Sequence, residues 1–260
     1  MEPIELDRDG TVLHALWRQG AGTPLVIIPG VMSDAKNWRR VADAIDRPEP
    51  VLILNRRGRQ PSGPLGDGYS VDTEVLDLLA WMHHLKEPVR LFGWSYGGLI
   101  AIETANRTRA VDRVIAYEPI LRPFAAHALP VLRDASNADD LDRVVEIVHR
   151  EIGNATEEQV AALRATPAWE LLRTWAAPVA GETAAINAFA PAWEDITAPV
   201  DLIVGGESRG TPYRQSFDMV AALLPAAGLH TLEKQGHLAH AEDPEALGAT
   251  VTGLIAARAA

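Results

Sequence analysis

The chain has no cysteine among its 260 residues. Disulfides, thiolate zinc sites and a cysteine nucleophile are excluded together, and the absence is compatible with a reducing compartment. No stretch approaches the ~18 consecutive apolar residues of a membrane-spanning helix. Met1 to Gly10 is polar and acidic, with no basic segment leading into an apolar one, so no signal peptide is expected and a cytoplasmic location is the default. Basic side chains are in deficit, 24 Lys and Arg against 35 Asp and Glu, for a net charge of −11. A surface of that sign repels phosphate backbones and anionic lipid heads, so neither nucleic acid nor membrane is expected as a partner. There is no P-loop, no Gly-x-Gly-x-x-Gly after a strand, and no His/Asp cluster of convincing metal-ligand spacing; no cofactor and no metal are expected. The expected partner is a small-molecule substrate, and the sequence does not indicate an oligomeric state.

What is present is a rhythm. Leu25 to Ile28, Val51 to Leu54, Val89 to Phe92 and Arg113 to Tyr117 are short and wholly or largely apolar, as strands buried on both faces of a parallel sheet are. Thr11 to Trp17 reads as an earlier strand. Helices are expected over about Ala35 to Ile45, from Ser70-Val-Asp72 to about Leu85, and from Tyr96 to Thr108. The alternation specifies an α/β fold with a mostly parallel twisted sheet flanked by helices. It breaks at Glu118-Pro119. From about Ile120 to Ala192 the patterns are helical and punctuated by Pro123, Pro130, Pro167, Pro178 and Pro191. Alternation resumes with Val200 to Val204, a helix after Pro212, Leu229 to Leu232, and a last helix after Asp243-Pro244. The expected organisation is a core of residues 1–119 and 193–260 carrying a helical insertion, 120–192, over the sheet.

The sequence Gly93-Trp94-Ser95-Tyr96-Gly97-Gly98 lies between an expected strand and an expected helix, the setting that a nucleophile elbow requires. Side chains at Gly93 and Gly97 would collide with neighbouring backbone. The following helix presents N–H groups and a positive dipole end to developing negative charge. A serine hydroxyl needs a base. His237, in "LEKQGHLAH", directly follows the last expected strand and is the first choice among eight histidines, with His240 its rival.

With these motifs in order, the chain resembles the α/β-hydrolase family over nearly its whole length. "IIPGVMSDAKNW" is similar to the family's oxyanion loop, "NRRGRQPS" (Asn55 to Ser62) to its Asp-x-Arg-Gly-x-Gly-x-Ser loop, and "QGHLAHAEDPE" to its histidine loop. The resemblance implies a serine, acid, histidine order and an oxyanion hole built from two backbone N–H groups. One belongs to Tyr96, after the nucleophile. The other belongs to Val31, with Met32 the alternative. The loop's usual His-Gly is Pro29-Gly30 here, which leaves a backbone donor intact.

In most members the acid follows the penultimate strand as Gly-x-x-Asp. Here that region is "DLIVGGESRGTP", and Arg209 falls where the aspartate is expected; an arginine cannot orient an imidazolium. Two carboxylates stand as replacements. Glu118 ends a strand, and some members, haloalkane dehalogenases among them, carry the acid there; Glu207 lies in the altered loop itself. Glu118 is the first choice, and the absence of a working acid stays open.

The resemblance implies acyl-enzyme chemistry on Ser95, with an ester or thioester of a small apolar or aromatic acid as substrate. Met32, Trp38, Trp94, Phe124 and Trp169 are the candidate pocket residues, and Arg56, Arg57 and Arg59 are considered as attractors of an anionic group against a plain solvated loop. Two other readings stay open: a C–C hydrolase, perhydrolase, lyase or cyclase on the same scaffold, and a non-catalytic ligand-binding relative.

Overall fold

The computed structural model describes residues 1–86 and 88–257. Eight strands form one sheet in the order β1-β2-β4-β3-β5-β6-β7-β8. They are β1 Glu2–Arg8, β2 Thr11–Arg18, β3 Leu25–Ile28, β4 Val51–Asn55, β5 Val89–Trp94, β6 Val111–Tyr117, β7 Val200–Gly205 and β8 Gly228–Leu232. β2 is antiparallel to both of its neighbours, and β4-β3-β5-β6-β7-β8 are parallel. The expected α/β-hydrolase sheet is therefore present. β1 was not anticipated: its residues alternate exposed and half-buried positions, and an edge hairpin bearing charged residues has no apolar run to announce it.

β3, β4 and β7 are buried along their whole length, which is why their sequences are runs rather than alternations. Helices cover both faces. α2 Val71–Leu85 and α3 Tyr96–Arg107 lie on one side; α1 Arg39–Ala44 packs with the C-terminal helix α11 Pro244–Ala256 on the other. The expected helix at Ala35 to Ile45 is split, with a short 3-10 turn at Lys36–Trp38 before α1. α2 begins where its N-cap Ser70 and Thr73 exchange hydrogen bonds as a capping box.

Between β6 and β7 the chain is helical: α4 Leu129–Asn137, α5 Leu141–Ile147, α6 Glu157–Arg164, α7 Pro167–Ala176 and α8 Val179–Ala188. Prolines at the first turns of α4 and α7 start those helices, and Thr156 with Gln159 caps α6. α9 Pro212–Leu223 joins β7 to β8, and the short α10 Ala239–Glu242 precedes α11. Among the described residues no helix is long and apolar enough to cross a membrane.

Candidate active site

Ser95 sits between β5 and α3 with φ 56° and ψ −118°. A non-glycine residue holds that conformation only when its surroundings impose it. They do so by close packing. A side chain on Gly97 would run into the carbonyl of Ile28, and one on Gly93 into the backbone of Gly97. On Gly30 a Cβ would lie 2.8 Å from that of Ser95. The elbow and the loop after β3 therefore touch backbone to backbone, with Gly30 against Ser95 and Gly97 against Ile28 and Pro29. As the first residue of α3, Tyr96 has an N–H with no partner inside the helix. Met32 also has a positive φ, 56°, so the loop is held in a tight local turn.

His237 lies in the loop between β8 and α10. Its Nδ1 is 2.7 Å from Glu118 Oε2. The other oxygen of Glu118 accepts the Gly205 N–H at 2.8 Å, and Glu118 itself has a positive φ of 43° and no exposed surface. Of the two carboxylates considered from sequence, Glu118 meets the imidazole. Glu207 is exposed, and its N–H is bonded to the carbonyl of Gln235. Arg209 is exposed as well. Burial raises the Glu118 carboxyl, but the bond and charge of His237, with donors from Ser208 and Gly205, outweigh it and hold the group below its ordinary range. Burial lowers His237, and Glu118 only partly reverses this; the free imidazole is poised as a neutral base. No hydrogen bond joins the Ser95 hydroxyl to His237 among the described residues, and such contacts commonly tighten only once substrate is bound.

Aromatic rings fix the imidazole beside the elbow. Trp94 Nε1 donates to the carbonyl of His237 at 2.8 Å, and the two ring centroids are 4.8 Å apart. Tyr213, from the first turn of α9, stacks face to face on the imidazole at 3.6 Å and 9°. Burial and the Glu118 charge push its hydroxyl up to about 12. Sequence reasoning missed Tyr213; the available signal was its place just beyond the C-terminal end of β7, where sheet sites gather.

The other aromatic candidates are spread out. Phe124 packs on Tyr213 at 5.6 Å and so borders the site at second hand. Trp38 is fully buried beneath the histidine loop, stacked on His240 at 4.8 Å. Trp169 lies within the helical segment, bonded through its indole to Asp142 with Arg164 over its ring. The rings of His240 and Trp94 have centroids 4.2 Å apart, and among the described residues no hydrogen bond joins His240 to Glu118. Arg56, Arg57 and Arg59 form neither a solvated loop nor a free anion attractor. Arg56 pairs with Glu74 and Glu182, Arg57 with Asp77, and Arg59 with Glu182. A guanidinium without water is stable only beside a carboxylate, and each of the three has found one.

The chain matches the alpha/beta hydrolase family profile over residues 25–250. It is similar to an (E)-2-((N-methylformamido)methylene)succinate hydrolase of Acinetobacter baylyi, 25% identical over 246 residues, covering 88% of this chain and 89% of the relative. Among solved structures, the enol-lactonase of Burkholderia xenovorans superposes with a TM-score of 0.79 at 20% identity, covering 98% of this chain and 100% of that one. The N-formylmaleamic acid deformylase Nfo of Pseudomonas putida gives a TM-score of 0.69 at 24% identity, covering 96% and 100%. With the family profile spanning most of its length and the fold shared throughout, the chain belongs to the α/β-hydrolase family.

Proposed function

We propose that the protein is a serine hydrolase working through an acyl-enzyme on Ser95, with His237 as base and Glu118 as the acid that orients it. The observation that carries this reading is the 2.7 Å contact between His237 Nδ1 and Glu118 Oε2. That contact fixes the tautomer in which Nε2 is free to take a proton. Ser95 Oγ attacks the substrate carbonyl as its proton passes to His237. The oxyanion meets the N–H groups of Tyr96 and Val31, each worth about 3 kcal/mol in the transition state. The leaving group takes the proton from His237, and water, activated by the same imidazole, releases the acid. The helices of residues 120–192 form a cap over the site, a reading supported by Phe124 against Tyr213 and by Glu182 on Arg56.

The substrate class we favour is an ester or thioester of a small apolar or aromatic acid, in keeping with the ring-lined surroundings of His237 and the neutralised Arg56, Arg57 and Arg59. A second reading is favoured by the Acinetobacter relative, whose name specifies an N-methylformamido compound: the same machinery would then cleave an N-acyl bond. Turnover of short p-nitrophenyl esters and of small N-formyl amides by wild type, Glu118→Gln and Glu207→Gln tests both. Hydrolysis of one class is expected, with kcat lowered on the order of 10⁴-fold in Glu118→Gln and little changed in Glu207→Gln. A loss in Glu207→Gln alone would remove Glu118 from its role. Failure of the wild type on both classes would count against a hydrolase.

A further inference from the structure

Glu182, from the helical segment, reaches through two arginines the loop that carries one of the two proposed oxyanion donors. It lies in α8 with no exposed surface. Its Oε1 accepts from Arg56 Nη2 at 2.6 Å and its Oε2 from Arg59 Nη2 at 2.7 Å. Both arginines come from the loop after β4, and both hold the loop after β3. Arg56 donates to the carbonyls of Pro29 at 2.7 Å and Gly30 at 2.8 Å. Arg59 Nε donates to the carbonyl of Ser33 at 3.2 Å. The three anchored carbonyls bracket Val31 and Met32. The Arg56 guanidinium also lies 5.0 Å over the ring of Tyr96, whose N–H is the other donor.

Buried ion pairs commonly serve architecture, and their net contribution to stability is small or unfavourable. Two features set this one apart. A single carboxylate is shared by two guanidiniums that grip the same five-residue loop. It comes, moreover, from the segment proposed to cover the site, while among the described residues Arg59 has no other carboxylate partner. Seating α8 therefore completes the grip on the loop, and withdrawing it would leave Arg59 uncompensated.

We infer that Glu182 is a positioning residue for the oxyanion hole: through Arg56 and Arg59 it sets the Pro29–Ser33 loop so that the Val31 or Met32 N–H points at the developing oxyanion. The inference rests on the acyl-enzyme reading above. Glu182→Gln keeps the shape of the side chain while leaving Arg59 without a carboxylate and Arg56 with Glu74 alone. It is expected to lower kcat about 100-fold with KM within about threefold of wild type. Affinity for a trifluoromethyl ketone, which forms a tetrahedral oxyanion on Ser95, falls by the same factor as kcat, and affinity for the product acid stays unchanged. Glu182→Asp, which retains the charge, recovers part of both losses.

Unchanged kcat and ketone affinity in Glu182→Gln, or a loss confined to KM, would overturn the inference. Failure of both variants to fold would overturn it too, in favour of a purely architectural ion cluster. A wild type that neither turns over esters or amides nor binds the ketone would defeat the acyl-enzyme reading itself; an active wild type with an indifferent Glu182→Gln defeats only the role of Glu182.

Discussion

His240 shows how the surroundings of one side chain decide its chemistry. It lies three residues from His237 and carries the same imidazole. It is buried between Trp38 and Trp94, and its Nδ1 is unpartnered. Burial, with a smaller contribution from the charge of His237, pushes it down to about 3. The unfolded chain takes up that proton near pH 6.5 and the folded chain does not. Stability linked to His240 is therefore full above about 6.5 and is lost as pH falls, by roughly 1.4 kcal/mol per unit until about 3. His237, also depressed, acts in the same direction. His240→Phe preserves the stack on Trp38 and removes one of the two protons. Urea unfolding at pH 7, 5.5 and 4.5 is expected to show a shallower loss of stability in the variant; parallel losses would contradict this account of His240.

The elbow is where an element, rather than a residue, carries the geometry. β5, the tight turn and α3 press against β3 so closely that glycine is required at positions 93 and 97. Gly97→Ala is expected to push α3 away from β3, destabilise the protein by about 1–3 kcal/mol and lower activity more than the stability loss accounts for. Thermal unfolding beside turnover at a temperature where the variant stays folded checks this, and wild-type values for both would contradict it. The elements that set this geometry were legible in sequence because each has a strong local signature: apolar runs for β3 to β7, glycines around Ser95, a histidine after the last strand. β1 was not legible, since its alternating charged residues resemble a solvated terminus. Glu118 could be placed at a strand end, but its pairing with His237 joins residues 119 positions apart, a distance that no periodicity spans. Tyr213 and Glu182 escaped for the same reason. Each makes its contact only once β7–α9, or α8, is folded over the sheet.

At the scale of the molecule, the site collects at the C-terminal ends of β3, β5, β6 and β7 and in the loop after β8. With the proposed acid, Glu118, at the end of β6 rather than β7, the segment from the end of β7 into α9 is left free for other work. It supplies Gly205 N–H to Glu118 and, through α9, the ring of Tyr213 to His237. The buried arginines of the β4 loop tie the segment of residues 120–192 to the same centre. The net charge of −11 belongs to the chain as a whole and acts on solubility. All of it converges on one hydroxyl. The most direct test is intact-mass and peptide mass spectrometry after exposure to a fluorophosphonate. One adduct is expected, on Ser95, absent in Ser95→Ala. No adduct on the wild type, or an adduct that persists in Ser95→Ala, would contradict the acyl-enzyme reading.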